Sequence, residues 1–433
     1  MTILDDARPG MDTDIRPQDD LFGHVNGTWL REVEIPSDRA SWGPFVMLAD
    51  AAEEQVRVIV EEISGGDQAA SPADPAAAED RRKIGDLYAS FMDEGRVREV
   101  GTTPIEGTLD AIDRLGDLRD LAAFLGEFER QGGGGVFGSF VDNDDRNSDR
   151  YVVNIVQGGI GLPDESYYRE EKFAEIRAKY VDYLDRMLTL AGRPDPRATA
   201  ETVLALETRL AQGHWERAET RDVIKTYNLM SYDELRAAMP SFDLDVYIRN
   251  LGGDELTLAE TVVRQPSYLT HLETVLGDTA IDQWKAFLTV RAIRSAAAYL
   301  TDELVETNFD FYGRTLAGTP ELRARWKRGV ALVEGGLGEA VGREYVARHF
   351  PPRSKELMDD LVDNLLQAYR QSIATLDWMG EETKQRAFDK LETFRPKIGY
   401  PVTWRDYSSL RIDKGDLVGN VRAIAAFETD RQL

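Results

Sequence analysis

The sequence predicts a mainly α-helical protein with one minor β-hairpin. Three observations lead there. Apolar residues recur at three- and four-residue steps through most of the chain, β-rich runs are confined to two short stretches, and no fixed-period repeat of a helical solenoid is present. In chain order, Ala51–Ile63, Glu79–Phe91 and Leu118–Phe128 each carry the spacing of a helix with one buried face. Between the first two, Ser64–Ala78 (SGGDQAASPADPAAA) has little to bury and predicts an exposed loop. Val136–Val141 and Tyr151–Val156 are the β-rich runs, and Asp142–Asp149 predicts their hairpin connection. Helical spacing returns over Phe173–Leu190, Ala198–Leu210, Ile281–Thr301 and Glu321–His349. Last, Met358, Leu361, Val362, Leu365, Leu366, Tyr369, Ile373 and Leu376 predict one more helix with a buried face. Pro351, Pro352 and Ser354 supply its start and Gly380 its stop.

The length, 433 residues, gives a prior of two to three domains at roughly 150 residues each. Lys and Arg total 52 against 78 Asp and Glu, a formal net charge of −26, which repels nucleic acid and excludes that partner class. With no cysteine, disulfides, thiolate zinc sites, Fe–S clusters and thiol nucleophiles are excluded as well. Met1–Asp20 is acidic and lacks the apolar core of a signal peptide, and no run approaches the roughly 18 apolar residues of a membrane span. These features predict a soluble, cytoplasmic chain with no membrane partner.

Three short patterns mimic functional motifs. Gly133, Gly135 and Gly138 satisfy G-x-G-x-x-G, but a helix precedes them and a strand follows, the reverse of the dinucleotide context, so they predict a glycine-rich turn. Asp142, Asp144 and Asn147 suggest a calcium loop without its turn glycine or closing glutamate, which leaves a solvated turn. His214-Trp215-Glu216 gives H-x-E without the paired cysteines of a zinc deaminase. The four histidines, His24, His214, His271 and His349, lie tens of residues apart, so no two share a helical turn as the ligands of H-E-x-x-H do. Glu356 and Asp360 share one helix face with no histidine near them in sequence and read as a solvated surface.

Longer strings are more specific. Asp19–Leu30 reads DDLFGHVNGTWL, followed by Ile35–Arg39 (IPSDR) and Gly43-x-Phe45; Gly158–Tyr168 reads GGIGLPDESYY and Lys225–Met230 reads KTYNLM. Trp326–Gly342 reads WKRGVALVEGGLGEAVG, with Glu344-Tyr345-Val346 leading to Phe350-Pro351-Pro352; Leu376–Lys384 reads LDWMGEETK and Lys397–Leu410 reads KIGYPVTWRDYSSL. In this order the strings closely resemble the neprilysin and endothelin-converting-enzyme family of zinc metallopeptidases, in its soluble bacterial form, from about Asp19 onward.

That resemblance implies a helical architecture in which a smaller domain closes over a catalytic one, around a cavity that admits peptides. It implies residues 19–407 as the family's N-terminal region, a helical cover at roughly 50–320 with flanking segments that pack on the catalytic domain, and 408–433 as the start of the connection to it. In the family, two histidines of H-E-x-x-H and a later glutamate bind zinc, and the motif's own glutamate activates the zinc-bound water. None of these elements occurs in the 433 residues, so no catalytic or metal-binding residue is expected here and no zinc on this chain. Around G-x-F some relatives place an arginine and an aspartate against the substrate; Ser41 and Val46 stand there, and no substrate contact is carried over. The matching residues Val25, Asn26, Gly27, Trp29, Gly159, Gly161, Leu162, Pro163, Tyr168, Trp378 and Trp404 are expected to be structural. Trp29, Trp42 and Trp404 would anchor cores, and Asn26-Gly27 and Gly158-Gly159 would supply positive-φ turns.

The expectation is therefore the N-terminal part of a zinc endopeptidase, inactive alone and lacking its C-terminal zincin part. The alternatives are a non-catalytic peptide-binding or regulatory module, or one half of a split peptidase. Ala423–Phe427, an apolar run, together with the VNGTW segment, is expected to form an exposed apolar surface.

Overall fold

The computed structural model describes residues 8–66 and 74–433. Helix α1 (Leu21–Glu32) is capped by Asp20, whose carboxylate accepts from Gly23 N at 2.8 Å. Helices α2 (Pro44–Ser64) and α3 (Pro75–Met92) form an antiparallel pair, and proline opens both, where its missing N–H has no partner to lose. Because α3 begins at Pro75, the loop expected over Ser64–Ala78 is shorter than that span; its centre, 67–73, lies outside the described residues. Then follow α4 (Glu94–Val100), α5 (Thr103–Asp113) and α6 (Leu118–Arg130), the last capped by Asp117.

Strands β1 (Phe137–Asp144) and β2 (Asn147–Gln157) form the expected hairpin with a tighter turn, since pairing continues to Asp144↔Asn147. After β2 come α7 (Ala174–Leu190), α8 (Pro196–Ala211), β3 (Leu229–Ser231), α9 (Tyr232–Ala238), α10 (Leu244–Leu251) and β4 (Glu260–Val263). The sheet runs β1-β2-β4-β3, with β4 parallel to β2 and antiparallel to β3. Strands of three and four residues are too short to show alternation, which is why β3 and β4 left no mark in the sequence pattern. Helices α11 (Pro266–Gly277), α12 (Ile281–Ala296) and α13 (Asp302–Phe309) complete this part, and α13 widens into a π-helical stretch over Asp310–Leu316. Helices α14 (Arg325–His349), α15 (Pro352–Ala374), α16 (Glu381–Thr393) and α17 (Leu417–Gln432) end the chain.

Two apolar cores organise these elements. The large one gathers side chains from Ile105 to Phe311 around fully buried Trp284, and takes in Val418 of α17. The smaller one is built by α2, α3 and α14 with Tyr407, Leu410 and Ile412. Buried Lys83 donates its ammonium to Tyr407 O at 2.7 Å and so ties the WRDYSSL string to α3. Among the described residues no helix is long and apolar enough to cross a membrane.

One element departs from its expected packing. Helix α15 forms where the spacing put it, but none of its residues is buried, and Leu361, Leu365 and Tyr369 are 48%, 49% and 60% exposed. The stripe is real and uncovered.

Candidate functional site

The most constrained cluster of polar groups lies at the GGIGLPDESYY string. Tyr168, buried, donates its hydroxyl proton to Glu207 Oε2 at 2.8 Å, and its oxygen accepts from the backbone N–H of Gly161 and of Leu162, both at 2.9 Å. Tyr180 donates to the other Glu207 oxygen at 3.2 Å, and Tyr312 to Gly161 O at 3.0 Å. Gly161 is required by crowding: a Cβ there would sit 1.9 Å from the Tyr180 hydroxyl oxygen. Gly159 is required by conformation, at φ +85°, whereas Gly158 has no positive φ. Tyr268 shares its one hydroxyl proton between Val136 O and Gly158 O, at 2.6 and 2.9 Å, closing the loop onto the residue before β1. Pro163 stands exposed at the turn and Leu162 is buried below it.

Glu207 itself is buried on α8, and desolvation pushes its carboxyl upward, opposed by Arg291, by the Tyr168 and Tyr180 hydroxyls and by Arg294. Tyr168 and Tyr180 are driven well above the ordinary phenol range, chiefly by burial. A carboxyl 1% exposed with both oxygens engaged by phenols is a fastening, not a general base. Sequence reasoning missed Glu207. The available signal was positional: Ala200, Val203, Leu206 and Leu210 set the buried stripe of α8, and Glu207 falls on it.

A second buried carboxylate corrects the solvated-turn reading at Asp144. Only 2% exposed, Asp144 accepts from Arg146 N at 2.8 Å, from Arg150 Nε and Nη2 at 2.9 and 2.7 Å, and from the Tyr227 hydroxyl at 2.9 Å. These donors, the Arg146 amide foremost, hold its pKa down to about 2. Glu356 and Asp360 are exposed on α15, as a solvated pair should be, with Glu356 taking Arg353 at 3.0 Å.

The histidines do not fit a zinc site. His24 Nδ1 meets Ile15 O at 2.6 Å, His214 Nε2 meets Gly158 O at 2.8 Å, and His271 Nε2 meets Arg209 O at 2.7 Å, so each presents an N–H to a carbonyl. Burial lowers the His214 pKa, which keeps its ring neutral in this role. His349 lies against Tyr345, ring centroids 5.1 Å apart. Among the described residues no three His, Cys, Asp or Glu side chains converge to hold a metal. A groove of about 610 Å³ runs between α17 and residues 405–411; two of its arginines, Arg405 and Arg431, both pair with Glu428.

Other string residues take places the spacing did not give them. Val25, Asn26, Gly27 and Trp29 all lie inside α1, so Asn26-Gly27 makes no left-handed turn; Gly27 is small because Asp12 Cβ lies 2.7 Å from where its own would be. Trp29, Trp42 and Trp404 are half-buried, and the core tryptophan is Trp284. Trp404 stacks on Tyr400 at 5.9 Å, and Trp378 is 77% exposed. Ala423–Phe427 of α17 are half-buried between the two cores and do not form the bare surface expected of them; exposed apolar side chains stand instead on α1, α2 and α15.

Residues 17–401 match Peptidase family M13. The chain is 28% identical over 435 residues to the neutral endopeptidase of Lactobacillus helveticus, a match that covers 98% of this chain and 65% of the relative. It is 27% identical over 434 residues to human membrane metallo-endopeptidase-like 1, covering 93% of this chain and 54% of the relative. Among solved structures, the Mycobacterium tuberculosis zinc metalloprotease ZMP1 in complex with an inhibitor superposes with a TM-score of 0.90 at 46% identity, over 98% of this chain and 63% of ZMP1. The chain thus spans between half and two thirds of the length of these relatives. With the family match covering most of its residues and the helical architecture shared with ZMP1, the chain belongs to Peptidase family M13, in its N-terminal region.

Proposed function

We propose that this chain is the N-terminal, cavity-covering part of a zinc-dependent metalloendopeptidase, and that the zinc ligands and general base come from outside these 433 residues. Most of the span 50–320 proposed for the cover contributes to the large core around Trp284, while Val56, Val60, Ile84, Leu87 and Tyr88 of that span contribute to the smaller one. The observation that carries the reading is the uncovered stripe of α15. Leu357, Leu361, Leu365 and Tyr369 repeat at the spacing of a buried face yet stand open, as do Phe22 of α1 and Phe45 of α2. Patches of this kind mark surfaces that another folded part covers. Peptides are the substrate class of the assembled enzyme, and the excess of acidic side chains would bias it away from acidic ones.

The test is reconstitution. The chain alone, offered a quenched fluorescent peptide and zinc, is expected to hydrolyse nothing; mixed with a separately produced catalytic part carrying H-E-x-x-H, it is expected to bind it and restore hydrolysis. Leu361→Asp with Leu365→Asp should abolish that association. Hydrolysis by the chain alone, lost on chelation, would overturn the proposal, and so would a catalytic part that ignores the chain.

A second reading, a non-catalytic peptide-binding or regulatory module, draws on α17. Its apolar residues Ala423, Ile424 and Phe427 are half-buried against the smaller core and do not form a bare face. Peptide binding by a monodisperse chain that no catalytic part recognises would favour it.

A further inference from the structure

We propose that the long connection between α8 and β3 presents a docking site for an acidic polypeptide segment, with Val223 and Ile224 as its apolar contact and Arg217, Arg221 and Arg146 as its charged rim. The inference concerns the surface of this chain and does not rest on the peptidase reading.

The connection, residues 212–228, holds no regular element except a 3₁₀ turn at Glu219–Arg221, and spans of this length with so little structure of their own are uncommon in compact domains. It is fixed at both ends all the same. At the α8 end, Trp215 N donates to Gln157 Oε1 at 2.8 Å, Gln157 Nε2 donates back to Trp215 O at 3.1 Å, and Trp215 Nε1 donates to Ser267 Oγ at 2.7 Å. At the β3 end the KTYNLM string supplies the anchors. Tyr227 donates to buried Asp144 at 2.9 Å, Val263 N donates to Asn228 O at 2.8 Å, and Asn228 Nδ2 donates to Val263 O at 3.1 Å. Between the anchors, Asp222 Oδ1 accepts from Ile224 N and Lys225 N at 3.0 and 3.1 Å, and buried Thr226 donates to Asp222 O at 2.9 Å. A carboxylate folded back on the amides that follow it makes a tight, self-bonded turn.

That turn holds Val223 and Ile224 outward, 71% and 76% exposed. Both are β-branched and stiff, and the backbone beneath them is already bonded, so a partner that covers them has little freedom left to remove.

The charges around this tip do not balance. Every carboxylate of the connection is engaged: Glu216 with Arg169 at 3.5 Å, Glu219 with Lys225 at 3.3 Å, and Asp222 within the turn. On the hairpin that Tyr227 meets, Asp144 and Asp145 are taken by Arg150 and Arg264, each at 2.7 Å. Arg217 and Arg221 are exposed and make no ion pair among the described residues, and exposed Arg146, equally without one, lies 4.4 Å over the Tyr227 ring. A chain of net charge −26 therefore carries a local cationic island beside an apolar tip. Guanidinium groups take carboxylates through two parallel hydrogen bonds, so the island fits Asp and Glu side chains that flank apolar ones.

The reach of the field decides what carries those carboxylates. At physiological ionic strength charges act over about 8 Å, so a short segment meets the island alone, whereas a membrane surface meets the whole acidic chain and is repelled. The partner is accordingly a polypeptide and not an anionic bilayer.

Fluorescence anisotropy of a labelled Asp-Asp-Leu-Leu-Asp-Asp peptide, titrated with the full chain, tests the site. Saturable binding is expected, weakened several-fold at about 0.5 M salt and absent for Lys-Lys-Leu-Leu-Lys-Lys. Arg217→Ser with Arg221→Ser should weaken it by about two- to tenfold, the size of effect that two exposed charge pairs support, and Val223→Ser with Ile224→Ser by a similar factor. All four side chains are exposed, so both double variants should melt within a degree or two of the parent, which separates loss of the site from loss of the fold. Sedimented vesicles of phosphatidylserine and phosphatidylcholine should leave the chain in solution. No binding of the acidic peptide, equal binding of the basic one, or unchanged affinity in both double variants would overturn the site. Vesicle binding that is lost on Val223→Ser with Ile224→Ser would overturn the choice of partner.

Discussion

Tyr168→Phe removes one oxygen atom and three hydrogen bonds. The hydroxyl donates to Glu207 and accepts from Gly161 N and Leu162 N, all at 2.8 or 2.9 Å, at a site only 6% exposed. The ring stays, so no apolar burial is lost and the cavity left is the volume of one oxygen. Two backbone N–H groups lose their acceptor and a buried carboxylate loses a donor. At about 1–3 kcal/mol for each of the three buried groups left short of a partner, the expected loss is about 3–9 kcal/mol, and at least about 3. Tyr180→Phe is the control: it removes a single longer bond to the same carboxylate, 3.2 Å, and should cost about 1 kcal/mol. Urea unfolding followed by tryptophan fluorescence reads the difference, because Trp284 sits in the same core. With a slope of about 3 kcal/mol/M, Tyr168→Phe should lower the midpoint by about 1 M or more and Tyr180→Phe by about 0.3 M. Hydrogen exchange at the amides of 161 and 162 should accelerate in the first variant alone. Equal midpoints for the two variants, or unchanged exchange at those amides, would refute the account of this loop as a buried fastening.

Gly161→Ala forces a methyl to within 1.9 Å of the Tyr180 oxygen and should destabilise by about 2 kcal/mol or more, while Gly107→Ala, in α5 with nothing within 4 Å, should stabilise by up to about 1 kcal/mol; thermal melts decide both. Asp144 has its pKa lowered from 3.8 to about 2, so its stabilising effect is present above pH 3.8 and lost as pH falls toward 2. Asp144→Asn should therefore weaken the protein at pH 6 and make less difference near pH 2, measured as the gap between urea midpoints. Leu361→Ser with Leu365→Ser should leave the melting temperature within about a degree of the parent and reduce binding of a hydrophobic dye, because both side chains stand on an open face.

Much of the fold was legible because its helices are long and one-sided. Leu118–Phe128 and Phe173–Leu190 carry the spacing of a buried stripe, and α6 and α7 appear where the spacing put them. The shortest elements were silent, β3 with three residues and β4 with four, whereas α10 carries the i, i+3, i+4, i+7 spacing at Leu244, Tyr247, Ile248 and Leu251 and was missed although its pattern was there to read. Burial was less legible than helicity. The spacing of Leu357 to Leu376 announces an apolar face but cannot say whether a partner covers it, and in this chain none of α15 is buried. Helix α17 shows the converse, since a helix held on both sides has no single stripe to detect, and its apolar run looked like a bare end. At the loop, Gly159 and Gly161 stand for different physics, a left-handed backbone and a 1.9 Å approach, that the letter G does not separate. Glu207 was readable only as an acidic residue out of place on an apolar stripe.

The central claim is that these 433 residues cover a peptidase site and do not contain one. Zinc content and peptide hydrolysis, measured together on the purified chain, test it most directly. The account predicts substoichiometric zinc after dialysis and no hydrolysis that a chelator can abolish. One tightly held zinc per chain, with peptide cleavage lost on chelation and regained on adding zinc, would contradict it.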